Sequence, residues 1–240
     1  MTACPNSAIS LKGPDLLHTF SKCLDCQLKP CVEKCSHEAL SLTGRSISPD
    51  ELTEIVSRDS AFYRNSGGGV TFSGGEPLMQ PRFLFKVLQK CKDSGIHTAI
   101  ETCGWTTLRV LKLIQPFTDL FLFDLKLTDD EKHRFYTGKP VGPILENLAY
   151  LASKNSEIII RMPLIPGITD TPENLEGIAA VMRKNNLHRI CLEPYHTLGV
   201  DKYTQHGKSY RLNNLKDYHR SQIIETGDFF TAGNFRCECL

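Results

Sequence analysis

Five short apolar runs, set one strand-plus-helix unit apart, constrain this chain more than any other feature of its sequence. They lie at 69–73 (GVTFS), 97–102 (HTAIET), 119–124 (DLFLFD), 157–162 (EIIIRM) and 189–194 (RICLEP). Rich in β-branched and aromatic residues, they read as strands, and their starts fall about 20–40 residues apart, the length of one βα unit. Between them the apolar period switches to that of a helix. Leu84, Val87, Leu88 and Cys91 share one face, after Pro81 as a first helical residue and before Gly95 as a stop. Leu145, Leu148, Ala149 and Ala152 repeat the spacing, as do Leu175, Ile178, Ala179 and Met182 behind Thr171-Pro172. Strands alternating with helices predict an α/β fold, a parallel sheet covered by helices. Five units are too few for a closed eight-stranded barrel, so the expectation is a partial barrel or an open sheet. A further helix is predicted over 50–63, and no element is predicted after residue 200.

The N-terminal zone has a different texture. Of the ten cysteines in 240 residues, Cys4, Cys23, Cys26, Cys31 and Cys35 fall at the start, in a stretch broken by Pro5, Gly13, Pro14 and Pro30. Residues 1–45 are too few to fold without a staple. No basic n-region followed by an apolar core precedes them, so the expected location is cytoplasmic, where clustered cysteines read as metal ligands before disulfides. The net charge of +1 gives no reason to expect nucleic acid or an anionic membrane as partner, and no apolar run is long enough to span a bilayer. Hydrophobic residues at 40% and charged residues at 23% exclude collagen and wholesale disorder.

Cys23-x2-Cys26-x4-Cys31-x3-Cys35 is close to the ferredoxin run, in which three thiolates hold one cubane cluster and the fourth crosses to a neighbouring cluster. The tail Cys35-Ser-His-Glu-Ala-Leu-Ser-Leu echoes Cys4-Pro-Asn-Ser-Ala-Ile-Ser-Leu. By the crossing rule Cys4 joins Cys23, Cys26 and Cys31 on one [4Fe-4S] cluster, and Cys35 belongs to a second cluster whose other ligands are absent. A four-cysteine zinc knuckle is the alternative, since the spacing also suits tetrahedral zinc. Cys91, Cys103 and Cys191 sit on apolar patterns and read as buried small hydrophobes.

Candidate ligand-binding residues cluster at the ends of the predicted strands. Gly74-Gly75 lies just past the first, where a backbone without Cβ lets a ligand approach, although a tight βα turn explains the pair equally well. Asp124-Leu125-Lys126 ends the third, and the two-residue period points the carboxylate and ammonium the same way, as a binding pair or a structural ion pair. Arg161 closes the fourth and His196 follows the fifth, where either alone is also consistent with a satisfied core or rim residue.

In this order and spacing, SGGGVTFSGGEPLMQ, GIHTAIETCG, DLFLFDLK, IIIRMPLIPGITD and PYHTLGVDKY resemble the glycyl radical enzyme activating enzymes of the radical S-adenosylmethionine superfamily, over nearly the whole chain to about residue 215. The subgroup with a ferredoxin-like insert fits residues 1–45. The resemblance implies a radical SAM partial barrel over 46–215, and it leaves 216–240 as a divergent tail. It further implies that a reduced [4Fe-4S] cluster cleaves S-adenosyl-L-methionine and that the resulting radical takes a hydrogen from a glycine of a partner glycyl radical enzyme. Electrons would come from a flavodoxin or ferredoxin. By the same resemblance Gly75 approaches the methionine group, Asp124, Leu125 and Lys126 contact S-adenosylmethionine, Arg161 meets its carboxylate and His196 lies beside the adenosine. Glu101 and Thr102 match an acidic-Thr pair next to the site.

Two departures accompany it. The family's cluster motif C-x3-C-x2-C occurs nowhere in the 240 residues, and FFTAGNFRCECL lacks the family's closing helix and strand pattern. The missing cluster loop, first strand and front of the insert together predict an N-terminally truncated member. The rival reading is a non-catalytic iron–sulfur electron carrier or binding module derived from the fold. A third, an ordinary barrel enzyme with a zinc knuckle, predicts zinc in place of iron and sulfide.

Overall fold

A computed structural model describes residues 3–13, 15–23, 26–42, 44–205, 208–212 and 214–239. The chain divides into two compact units, Met1–Ser46 with His196–Lys216, and Ile47–Tyr195 with Asp217–Leu240. In the first, β1 (Ile9–Lys12) and β2 (Asp15–His18) pair antiparallel with Ile9 opposite His18. Gly13 leaves β1 at a φ of 64°, a left-handed value that glycine adopts without strain. A 3-10 turn over Phe20–Cys23 and the one-turn α1 (Pro30–Glu33) follow.

The second unit repeats strand and helix. It runs α2 (Pro49–Ser57), α3 (Ser60–Ser66), β3 (Gly69–Phe72), α4 (Pro81–Asp93), β4 (His97–Thr102), α5 (Leu108–Ile114), β5 (Leu120–Asp124), α6 (Asp130–Thr137), α7 (Gly142–Ser153), β6 (Glu157–Leu164), α8 (Pro172–Lys184) and β7 (Arg189–Pro194). The short α9 (Val200–Gln205) lies in the first unit; α10 (Arg220–Ala232) and β8 (Arg236–Cys239) return to the second. The six strands form one parallel sheet in the order β3-β4-β5-β6-β7-β8. All five predicted strands are present. β3 pairs with β4 alone, so its outer edge has no strand partner among the described residues, as expected for the first strand of this sheet.

Two expectations need correction. The helix over 50–63 is two helices: Ser48 caps α2 by accepting from the Glu51 amide at 3.1 Å, and the chain breaks at Asp59, which leaves helical geometry with φ −91° and ψ 8°. The stretch 216–240, expected as a divergent tail, carries a helix and the sixth strand. His219 caps α10, whose buried residues are Thr226 and Phe230, and β8 sets Cys237 opposite Ile190 of β7.

The core lies between one face of the sheet and its helices. Along β5 the two-residue period buries Phe121, Phe123, Leu125 and Leu127 among Leu84, Leu111, Leu148, Ile160 and their neighbours. Each such aromatic or leucine contributes about 1.5–3 kcal/mol on burial. The same period turns Leu122, Asp124 and Lys126 to the other face, where they are only partly covered. Among the described residues no helix is long and apolar enough to cross a membrane.

Candidate functional site

Because the strands are parallel, their carboxyl ends form one rim, and five charged residues meet there. Asp124 ends β5 in register with Arg161 of β6, so both side chains point to the same face. Lys126, two residues beyond, donates to Asp124 Oδ2 at 3.0 Å. Arg161 reaches Glu101 of β4 at 2.8 Å through Nη1 and Glu193 of β7 through Nη2. Its side chain is only 16% exposed. Burial alone would lower the guanidinium's pKa, but the bonds to Glu193 and Glu101 and the charge of Asp124 more than offset that and hold it firmly charged. Two buried atoms stay without a hydrogen bond, Asp124 Oδ1 and Arg161 Nε, which face each other at 3.5 Å. Three carboxylates against two cations leave this cluster net negative.

Gly75 sits on the loop leaving β3. A Cβ there would meet no protein atom, and its φ is not left-handed, so neither packing nor backbone strain requires a glycine. Its neighbour Glu76 fastens the loop to the end of β4. Glu76 Oε1 accepts from the Thr102 hydroxyl at 2.8 Å and from the Leu78 amide at 3.1 Å, while Oε2 accepts from the Cys103 amide at 3.0 Å. Thr102 is 2% exposed, and its hydroxyl also accepts from the Gly104 amide at 2.9 Å. Thr102 therefore holds the loop, and Leu125 turns its side chain into the core at 1% exposure. Arg161 has both terminal nitrogens engaged, so a ligand carboxylate would meet it by displacing Glu101 or Glu193. His196 is exposed and belongs to the first unit, directly after Tyr195.

Sequence reasoning missed Glu193 and Glu76. Glu193 carried the same signal as Asp124, a charge closing an apolar strand. Glu76 carried none, because its partners are on another strand.

In the first unit Cys4, Cys23, Cys26 and Cys31 line one cavity of about 200 Å³, walled also by Ile9, Phe20, Val32 and Leu40. The Ala8 amide donates to Cys4 Sγ at 3.2 Å, and such backbone bonds pull its thiol below the usual range. Burial, and then the proximity of Cys4, Cys31 and Cys26, pushes Cys23 up. His18 Nε2 is 3.0 Å from Cys23 Sγ. Cys35 lines a second cavity together with Cys4 and Cys31, and the Leu40 amide, followed by those of His37 and Ala39, lowers its pKa. Among the described residues no three His, Cys, Asp or Glu side chains are disposed to hold a single metal ion.

Residues 31–179 match the Radical SAM superfamily. The 4-hydroxyphenylacetate decarboxylase activating enzyme of Clostridioides difficile (strain 630) is 39% identical over 237 residues, which is 98% of this chain and 75% of that protein. The chain belongs to the radical SAM superfamily, among its glycyl radical enzyme activating enzymes.

The choline trimethylamine-lyase activating enzyme of Oleidesulfovibrio alaskensis is 38% identical over 212 residues, 86% of this chain and 68% of that protein. A solved domain of pyruvate-formate lyase-activating enzyme from Bacteroides vulgatus superposes with a TM-score of 0.61 at 27% identity, covering 72% of this chain and 99% of the domain. In (β/α) barrel enzymes the carboxyl-terminal rim of the parallel strands is the face where ligands bind.

Proposed function

We propose that this chain provides the S-adenosylmethionine-binding sheet and a ferredoxin-type electron relay of an activating enzyme that installs a glycyl radical on a partner enzyme. The observation that carries the reading is the net-negative rim cluster of Glu101, Asp124, Glu193, Lys126 and Arg161. S-adenosylmethionine brings an ammonium and a sulfonium against one carboxylate, so it complements a cluster of three carboxylates and two cations. Asp124 and Lys126, both partly exposed, are placed to bond the polar atoms of such a ligand, and the bare backbone at Gly75 to lie against it. Arg161 then holds Glu101, Asp124 and Glu193 in place.

The four thiols of the first cavity fit a [4Fe-4S] cluster in donor type, number and apolar surroundings. Four thiols also suit tetrahedral zinc, and the ferredoxin-type spacing of Cys23, Cys26, Cys31 and Cys35 favours the cluster. When bound, such a cluster carries one electron at a time between a donor, of flavodoxin or ferredoxin type, and the chemistry. The residues' own part is to exclude water through Ile9, Phe20 and Leu40 and to favour the thiolate at Cys4. A cytoplasmic setting keeps these thiols reduced.

The C-x3-C-x2-C run is absent from the 240 residues, so no residue here is assigned to the cluster that opens S-adenosylmethionine. The relatives act with decarboxylases and lyases by name, and the partner is proposed only as a glycyl radical enzyme. The test is anaerobic reconstitution followed by calorimetric titration with S-adenosylmethionine. Iron and sulfide in equal amounts, with binding lost in Asp124→Ala, support the proposal; zinc without sulfide, or binding indifferent to Asp124, overturns it.

A further inference from the structure

Asn174, in the first turn of α8, is 5% exposed and spends its whole side-chain amide on two other segments. Nδ2 donates to the Lys126 carbonyl at 3.0 Å and to the Thr169 carbonyl at 2.7 Å. Oδ1 accepts from the Thr128 amide at 3.0 Å and, more weakly, from its hydroxyl at 3.4 Å. Two donors and two acceptor positions are all that an asparagine side chain has. The segment 126–128 is therefore clasped on both sides of Leu127, which is itself buried at 1%. The Thr169 contact ties that segment to the turn leaving β6, the strand that carries Arg161. That turn is locked in its own right, because the Thr169 hydroxyl donates to the Pro163 carbonyl and accepts from the Ile165 amide at 2.7 Å.

A second feature of α8 serves the same segment. Gly177 lies against Thr128 so closely that any Cβ would collide with the Thr128 hydroxyl. A helical glycine costs about 1 kcal/mol relative to alanine, so its place here is explained by the need to let residues 126–128 lie on the helix. Asn174 and Gly177 share one helix face, three residues apart.

We infer that Asn174 is a positioning residue for Lys126. It fixes the backbone from which the ammonium reaches Asp124, and so sets the geometry of the rim cluster without touching the ligand. The inference rests on the reading of the rim as an S-adenosylmethionine site. A carbonyl and an amide gripped by one planar group have little freedom to shift, whereas Lys126 on an unclasped loop would sample many positions and lose order on binding.

The test is a double-mutant cycle on the full chain with S-adenosylhomocysteine as probe, read by isothermal titration calorimetry. Asn174→Ala and Lys126→Ala should each weaken binding about tenfold, equivalent to about 1.4 kcal/mol. The double variant should bind no more weakly than Lys126→Ala, because Asn174 has nothing left to position. A merely structural role would lower the unfolding midpoint but leave affinity unchanged, or would multiply with the lysine change; either result overturns the inference. If Asn174→Ala shows no cooperative unfolding transition, the same cycle with Asn174→Asp decides, since that variant keeps volume and acceptor but loses both donors. Wild-type affinity in Lys126→Ala would instead remove the site reading, and the inference with it.

Discussion

The hydroxyl of Thr102, at the end of β4, donates to the carboxylate of Glu76, on the loop that leaves β3, at 2.8 Å. The same carboxylate accepts from the Cys103 and Leu78 amides, so one side chain sets the path of the loop that presents Gly75. Removing it leaves a buried hydroxyl and two amides in need of partners. Glu76→Ala should therefore destabilise the chain by about 1–3 kcal/mol. Urea denaturation would show this as a lowered midpoint with an unchanged slope; a midpoint equal to wild type would mean that water replaces the carboxylate at no cost.

At the opposite end of the sheet Asp119 accepts from the Thr98 amide at 2.9 Å and pairs with Lys92. Burial by itself would raise this carboxyl, but the bonds from Lys92 and Thr98 outweigh it and hold the pKa below the ordinary aspartate value. A depressed native pKa stabilises the fold above the unfolded value, near 3.9 for aspartate, and that stability is lost as pH falls through the native value. Asp119→Asn should cost about 1–2 kcal/mol at pH 7, and the gap to wild type should shrink below about pH 4. Denaturation midpoints of both proteins across this range provide the check, and a gap that stays constant with pH would refute the assignment.

Cysteine substitutions separate the two cavities of the first unit. Cys26→Ala should abolish incorporation of a [4Fe-4S] cluster, whereas Cys35→Ala should leave about one cluster per chain, since Cys35 lines the other cavity. Iron and acid-labile sulfide analysis, with electron paramagnetic resonance of the reduced protein, reads both. Equal losses in the two variants would show that the crossing assignment is wrong.

Under strong reduction the 240-residue chain should yield no 5′-deoxyadenosine from S-adenosylmethionine. A cluster held by four cysteines has no open iron for the methionine group, and the sequence contains no C-x3-C-x2-C run to hold another. Chromatography of the anaerobic reaction mixture decides, and product above the protein-free control would mean that the ligand sets are misassigned.

The parallel sheet was legible because β5 and β6 each carry an apolar run that meets a charge: Phe121-Leu122-Phe123 before Asp124, and Ile158-Ile159-Ile160 before Arg161. Charge is costly at such a position unless it is paired or serves a ligand, which made the rim visible. β8 was missed for the opposite reason. Arg236 and Glu238 alternate with cysteines in a four-residue strand, and nothing local distinguishes that from a ragged end. Helix α10 escaped notice because its buried residues are few and Gly227, a poor helix former, lies within it. Glu76 and Asn174 act on backbone groups of other elements, and such partners leave no periodicity in the sequence.

The strand order of the sheet repeats the order of the chain, β3 to β8, with each strand pairing only with the one before and the one after it. No strand has to wait for a distant one before it finds a neighbour. During synthesis, each newly emerged βα unit can dock on an edge already formed, so assembly proceeds by accretion in one direction, as a ribosome delivers it. β8 then covers the edge of β7. A chain released before residue 236 would carry a bare edge there, the form in which ribosome-stalled or prematurely ended chains of this architecture become prone to strand-to-strand association.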